Sequence, residues 1–269
     1  MRLGVVGLGL MGASFAEALR KGRPEIEIVG IDADPITLAT ALERGIIREP
    51  GIEAAEIIVL AVPPQAMRAV MSGLPRDVLV TDMASTKAQV MVWAAEAGLD
   101  FVGGHPMCGR EAYGIDASDP DLFRGATWVL TQFDSRVEDL VRAVGAHSVV
   151  MDAERHDRLV AAVSHAAFAL SAAYSLAVAG SREWPEMAGL AASGFRDMTR
   201  LASGSPEMYA GIALTNGENL AQWLKLIEAQ LARLRRHVEA GDSRLTELFE
   251  EARDKRERWL AERSSASKL

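Results

Sequence analysis

Seven short apolar runs recur through the first 151 residues and then stop. They are Leu3 to Val6, Ile26 to Ile31, Ile57 to Val62, Val78 to Thr81, Phe101 to Gly104, Thr127 to Leu130 and Ser148 to Met151. Most are separated by segments with helical periodicity, such as Ala13 to Lys21 and Thr86 to Ala97. That alternation is the signature of a parallel sheet covered by helices. Beyond residue 151 strand signals nearly vanish, and Arg155 to Ala179, Pro185 to Leu201, Pro206 to Arg236 and Arg244 to Arg263 read as helices, with breaks near Gly180, Gly204-Ser205 and Gly241. The expectation is an α/β domain over residues 1–151 followed by an all-helical domain over residues 152–269. The first long helix of the second part is rich in alanine from Ala161 to Ala179, which permits close helix approach and suits an interior or intersubunit position.

The first chemical signal is Gly7-Leu8-Gly9-Leu10-Met11-Gly12, a G-x-G-x-x-G between a strand pattern and a helix pattern. Gly7 permits a tight turn, Gly9 lets backbone approach a pyrophosphate, and Gly12 lets helix and strand pack closely. The N–H groups of Leu10 and Met11 then open a helix whose N-terminus faces the phosphates. Asp32 ends the second strand pattern, twenty positions past Gly12, where a carboxylate accepts hydrogen bonds from a ribose hydroxyl. The same carboxylate repels a 2'-phosphate, and no arginine immediately follows it, so NAD is favoured over NADP. The first domain is therefore expected to be of the Rossmann type.

Composition narrows the partners. With 269 residues, 49% of them hydrophobic and 25% charged, the chain can bury a sizeable core. A net charge of −8 and the lack of a basic stripe argue against a nucleic-acid footprint, which leaves small molecules as the expected ligands. One cysteine, Cys108, cannot form an internal disulfide, and the N-terminus enters a strand-like pattern directly, so the expected compartment is the cytoplasm. No apolar run is expected to approach the roughly 20 residues that span a bilayer. The final Ser267-Lys268-Leu269 spells a peroxisomal address and is read as a chance match.

Residues that do chemistry should stand beyond the carboxyl ends of the strands. Val62 and Pro63, closing the third run, either form a wall beside a nicotinamide or make a simple turn. Asp82-Met83-Ala84-Ser85-Thr86-Lys87 closes the fourth and supplies a hydroxyl and an ammonium at the start of a helix, where Ser85 or Thr86 can also act as a cap. His105-Pro106-Met107-Cys108-Gly109-Arg110-Glu111 follows the fifth. A histidine there suits a general base near neutral pH, with Pro106 restricting its backbone; the alternative is a hydrogen-bonded turn residue. Cys108 reads as a packed thiol.

Taken in order, GLGLMG, DMASTK, HPMCGRE with Gly114 following, SHAAF at Ser164 and SGFRDMTRLASGSPEMY at Ser193 resemble the TyrA family, the prephenate and arogenate dehydrogenases of tyrosine biosynthesis. The match runs from Arg2 to about Arg258. The resemblance implies a Rossmann domain followed by a helical dimerisation domain, hence a homodimer. It also implies NAD-dependent oxidation of a cyclohexadienol carboxylate with loss of CO2, chemistry that needs no metal.

In this resemblance His105 matches the catalytic histidine and Ser85 the serine that hydrogen-bonds the substrate hydroxyl and helps align His105. Arg200 matches the arginine that binds a substrate carboxylate, a task suited to a planar fork; otherwise it would be a surface charge paired with Asp197. Glu111 matches an acid near the site entrance. Lys87 either balances local charge or approaches the substrate. His165 falls in a segment the family often writes S-H-x-x-H, and the second position here is Phe168, so a substrate contact competes with a role as a core histidine. Arg110 departs from the small residues common in relatives and would add positive charge at the mouth, favouring a dianion. Two other readings stand beside this one. A β-hydroxyacid type of Rossmann dehydrogenase would use a lysine in its first long helix, and none occurs there. A nonenzymatic NAD-responsive module would not need Ser85, His105 and Arg200 to converge.

Overall fold

A computed structural model describes residues 1–266; the terminal Ser267-Lys268-Leu269 signal lies outside the described residues. The main sheet is five-stranded and parallel, built from β1 (Arg2–Val6), β2 (Glu27–Ile31), β3 (Ile57–Leu60), β4 (Leu79–Asp82) and β5 (Asp100–Val102) in the order β2-β1-β3-β4-β5. Helices α1 (Leu10–Gly22), α2 (Pro35–Glu43), α3 (Pro64–Ser72) and α4 (Ala88–Ala97) make the crossovers. Both faces of the sheet are covered, and the alternation of strand side chains divides the core accordingly. Leu3 and Val5 of β1, with Ile57 and Val59 of β3, join Phe15 and Leu19 of α1 on one side. Val6, Ile58 and Leu60 join Met67 and Met71 of α3 and Val90 of α4 on the other. The strand order reverses direction between β1 and β3, and the crevice at their carboxyl ends is where open α/β sheets take ligands.

The fifth apolar run does not form one strand. β5 ends at Val102, and β6 (Gly104–Pro106) opens a second sheet with β7 (Thr127–Leu130) and β8 (His147–Val150). β6 is antiparallel to β7, with His105 opposite Val129. The cause lies in the two glycines at the junction. The N–H of Gly103 donates to Thr131 Oγ1 at 2.9 Å and that of Gly104 to Asp82 Oδ1 at 2.8 Å, so neither continues the ladder to β4. A side chain on Gly103 would stand 2.7 Å from Thr131 Cγ2. His105 thus sits within a short strand instead of on the loop expected after strand five. Helix α5 (Ser135–Ala143) connects β7 to β8, and Phe15, Phe123 and Trp128 form an aromatic cluster beneath the second sheet, with centroids 5.3–6.1 Å apart.

Helix α6 (Ala153–Val160), a π turn at Ala161–His165 and α7 (Ala166–Ala179) follow as one continuous helix, Ala153–Ala179. Its 27 residues and mean hydropathy of 1.6 are enough, by length and composition, to cross a bilayer, which corrects the expectation that no run qualifies. Alanine and leucine persist after Arg158 with no charged residue until Arg182. Asp157 and His165 within this helix are nonetheless buried and hydrogen-bonded inside the fold. Shorter helices α8 (Trp184–Met187), α9 (Ser193–Thr199) and α10 (Pro206–Thr215) come next, then the long α11 (Gly217–Ala240) and α12 (Arg244–Ala266). The expected helix from Pro206 to Arg236 breaks at Asn216, whose side chain turns inward to bond the backbone oxygen of Asp157.

The chain divides into two compact bodies, Met1–Leu220 and one that begins at Ala221. The first body runs on through the helices that follow residue 152. The reason is local: Asp157 accepts hydrogen bonds from the backbone at the start of α4, and Gln65 of α3 donates to the backbone oxygen of Glu207 in α10 at 2.6 Å, so helices 153–215 pack as part of the first body. In the second body the turn between α11 and α12 is closed by Asp242, which bonds His237 Nδ1 at 3.0 Å and the Arg244 guanidinium, with Gly241 at φ +59°.

Candidate active site

The cofactor cradle is built by the turn after β1. Gly7 adopts φ +91°, a conformation that strains any residue with a side chain, and its N–H donates to Ile31 of β2 at 2.9 Å. A Cβ on Gly12 would overlap the carbonyl oxygen of Gly7, so α1 can approach β1 closely only with glycine there. Over Gly9 the space is open, with nothing within 4 Å of a Cβ built there. Gly9 is also the N-cap of α1 and offers no side-chain cap, which leaves the first N–H groups of the helix, at Leu10 and Met11, free to bind an anion. Asp32 stands at the end of β2, its Oδ2 accepting from Leu8 N at 2.6 Å and its Oδ1 from Asp34 N at 2.9 Å. Each oxygen retains a lone pair for a ribose hydroxyl. Val62 reaches the glycine turn, its Cγ1 3.0 Å from where a Gly7 Cβ would be, and the exposed Pro63 caps α3. These features fit a dinucleotide.

Beside the cradle lies a fully buried ion pair. Asp82 Oδ1 accepts from Gly104 N, and Oδ2 accepts from Ala84 N at 2.9 Å and from the Lys87 ammonium. Lys87 Nζ also donates to the Gly104 carbonyl at 2.7 Å. Burial pushes the Asp82 carboxyl up and the Lys87 ammonium down. Lys87 was expected among the substrate-binding residues; its side chain is 0% exposed and spent on Asp82 and Gly104, so its role is to join the end of β4 to the start of β6. The Met83, Ala84 and Ser85 turn is held by the same carboxylate.

His105, next to Gly104, is buried to 7% exposure, and its Nδ1 lies 2.8 Å from His156 Nε2. His156 Nδ1 lies 2.7 Å from Asp157 Oδ1, and the two Asp157 oxygens accept from Lys87 N at 2.7 Å and Ala88 N at 2.9 Å. Burial, then the neighbouring His156 and Lys87, hold His105 well below the ordinary histidine range, so the ring is neutral at neutral pH and free to accept a proton. Ser85 is half-buried and makes no side-chain hydrogen bond among the described residues, and the side chain that His105 Nδ1 meets is His156. His156, Asp157 and Asn216 carry no motif in the sequence, because the partners that give them a role lie far along the chain. The only signal was a His-Asp pair at the head of an apolar helix.

His165 is 0% exposed, brought inward by the π turn. Its Nδ1 meets Asn216 Nδ2 at 3.1 Å, and its Nε2 is sealed without a hydrogen-bond partner. Burial lowers it to about 4. Phe168, six ångströms from it in ring centroids (6.0 Å), stacks on Tyr209 at 4.1 Å and 5°. Tyr209 was not singled out by the sequence, yet it is raised by burial and by the charge of Glu111, with Arg200 opposing. Arg200 and Glu111 form an ion pair, so the alternative in which Arg200 pairs with Asp197 does not occur; Asp197 instead pairs with Arg196. Arg110 is engaged by Asp119, which offsets the positive charge it was expected to lend the mouth. Cys108 is pushed up to about 11 by burial and packs against the core, the behaviour of an inert thiol.

A dinucleotide cradle beside a buried neutral histidine defines an oxidoreductase of the Rossmann class. The description "Prephenate dehydrogenase, nucleotide-binding domain" matches residues 15–150, and "Prephenate dehydrogenase, dimerization domain" matches residues 152–252. The chain belongs to the prephenate dehydrogenase family. It is 32% identical over 260 residues to the prephenate dehydrogenase of Lactococcus lactis subsp. cremoris, covering 91% of this chain and 73% of that protein. Among solved structures it resembles prephenate dehydrogenase from A. aeolicus in complex with hydroxyphenyl propionate and NAD+, with TM-score 0.88 and 28% identity over 96% of this chain and 98% of that one. Synechocystis arogenate dehydrogenase aligns with TM-score 0.77 and 30% identity over 96% of this chain and 100% of that one.

The buried pair yields a stability prediction. Lys87→Met leaves the Asp82 carboxyl sealed without its cationic partner and should lower unfolding free energy by about 3–5 kcal/mol in urea denaturation. A loss below about 1 kcal/mol would mean that Asp82 and Gly104 do not depend on the ammonium.

Proposed function

We propose that the chain catalyses NAD-dependent oxidative decarboxylation of a cyclohexadienol carboxylate, prephenate or arogenate. The observation that carries this reading is the buried, neutral His105, its Nδ1 engaged inward, beside a glycine cradle that fits a dinucleotide. The relatives named above, which include enzymes named for each substrate, support it.

The open space over Gly9 and the uncapped start of α1 at Leu10 and Met11 hold the pyrophosphate, and Asp32 receives the ribose hydroxyls. Val62 and Pro63 would flank the nicotinamide. Asp32 and, two positions on, Asp34 repel a 2'-phosphate, which favours NAD+ over NADP+. Bound NAD+ supplies the acceptor for the hydride that leaves C4 of the substrate. His105 Nε2 takes the C4 hydroxyl proton as that hydride departs, and Ser85 donates to or accepts from the same hydroxyl. The ring is then a dienone conjugated to the carboxylate-bearing carbon. When the bond to CO2 breaks, its electrons flow into the carbonyl and the ring becomes aromatic; His105 returns its proton to the resulting phenolate oxygen. Arg200 fixes a substrate carboxylate. Its existing pair with Glu111 is half-exposed and worth at most about 1 kcal/mol, so a dianion can open it at small cost.

The helical region supports a homodimer. It matches a domain described as a dimerization domain, and Val163, Leu176, Leu190 and Leu214 are each at least 74% exposed. Sedimentation equilibrium should give twice the chain mass of 28.9 kDa; the mass of a single chain would contradict a dimer.

Steady-state assays with prephenate and arogenate, each with NAD+ and NADP+, should show reduced cofactor forming with NAD+ and one or both substrates. No turnover with either would overturn the reading. His105→Asn should lower kcat by about 10²–10⁴-fold, whereas Arg200→Ala should raise KM by about 10- to 100-fold, the equivalent of charged hydrogen bonds worth about 1.5–3 kcal/mol. Because the His105 pKa is lowered and the neutral ring is the active form, kcat/KM should stay flat as pH falls through 6.5 and decline only well below it. An acid limb at or above 6.5 would contradict the burial of His105.

A further inference from the structure

We propose that His156 and Asp157 are positioning residues that set the tautomer of His105, so that its Nε2 meets the substrate without a proton. The proposal rests on the dehydrogenase reading for the use of that nitrogen, but its structural basis is independent. Both oxygens of Asp157 are pinned by backbone N–H groups at the start of α4, at 2.7 and 2.9 Å. A carboxylate so held presents only lone pairs to its neighbours. His156 Nδ1, at 2.7 Å from Oδ1, is therefore the donor in that contact.

A neutral ring protonated at Nδ1 is bare at Nε2. His156 Nε2 can then only accept, and the group 2.8 Å away is His105 Nδ1. The proton of His105 is consequently placed on Nδ1 and its lone pair on Nε2. Nε2 is neither hydrogen-bonded nor among the sealed, unpartnered polar atoms of the described residues, which leaves it as the nitrogen open to a ligand. When Nε2 gains the hydroxyl proton, the positive ring is held through His156 to the Asp157 carboxylate. Asn216 fixes this chain from behind by donating to the Asp157 backbone oxygen at 2.8 Å. The ring centroids are 5.0 Å apart and the planes are twisted by 74°, so the two nitrogens 2.8 Å apart lie close to the line between the ring centres.

Two measurements on the full-length protein test this. Nitrogen-15 histidine NMR of the substrate-free protein should show His105 protonated at Nδ1 and bare at Nε2, and the His156→Phe variant should show a mixture of tautomers. A wild-type His105 protonated at Nε2 overturns the proposal, and this result does not depend on which substrate is turned over or on whether any variant folds. In kinetics His156→Phe should lower kcat by about 10²–10⁴-fold, the range of a misplaced general base, with KM and NAD+ affinity within about threefold. His156→Gln, whose carbonyl oxygen can accept from His105 Nδ1, should recover part of the loss. A fall shared equally between kcat and KM, or no recovery with glutamine, would assign His156 a purely structural role and overturn the proposal.

Discussion

The arrangement of the site depends on one carboxyl group. Asp82 ends β4 and gathers Gly104 N, Ala84 N and the Lys87 ammonium, while Lys87 in turn holds the Gly104 carbonyl. Burying a charged pair costs several kcal/mol per ion, and the cost is recovered only when hydrogen bonds satisfy the remaining donors and acceptors. Here the backbone of the neighbouring strand supplies them. The energetic requirement of the pair thus becomes a geometric one: β6 must begin beside the end of β4, which places His105 and the Ser85 turn on the same side of the sheet as the glycine cradle.

A second carboxylate does for the helical segment what Asp82 does for the sheets. Asp157 lies on α6, seventy positions from the N–H of Lys87 that it accepts, and so ties the first helix of the 152–252 region to the start of α4. The N-terminus of α4 favours negative charge there. Lys87 therefore takes part in both networks, through its ammonium to Asp82 and through its backbone N–H to Asp157. This explains why residues 1–220 form one compact body although the family match changes at residue 152.

What could be read in the sequence was what depends on neighbours along the chain. GLGLMG with Asp32 and the alternation of strands and helices follow from local pattern, and they are present as expected. What could not be read depends on partners far away. The break at Gly103 needs Thr131, twenty-eight positions on; the duty of Lys87 needs Gly104; the role of His156 needs His105, fifty-one positions back. Arg110 looked like free charge because Asp119 shares its loop only after folding. The helix expected from Arg155 to Ala179 is present, and it starts two residues earlier, at Ala153.

The most direct test of this account is a crystal structure of the protein with NAD+ and a substrate analogue that keeps both the ring hydroxyl and the carboxylates. The account predicts the hydroxyl about 2.6–3.2 Å from His105 Nε2, His105 Nδ1 still on His156, and the Arg200 guanidinium on a ligand carboxylate. A hydroxyl held by another side chain, with His105 turned away and Arg200 still closed on Glu111, would contradict it.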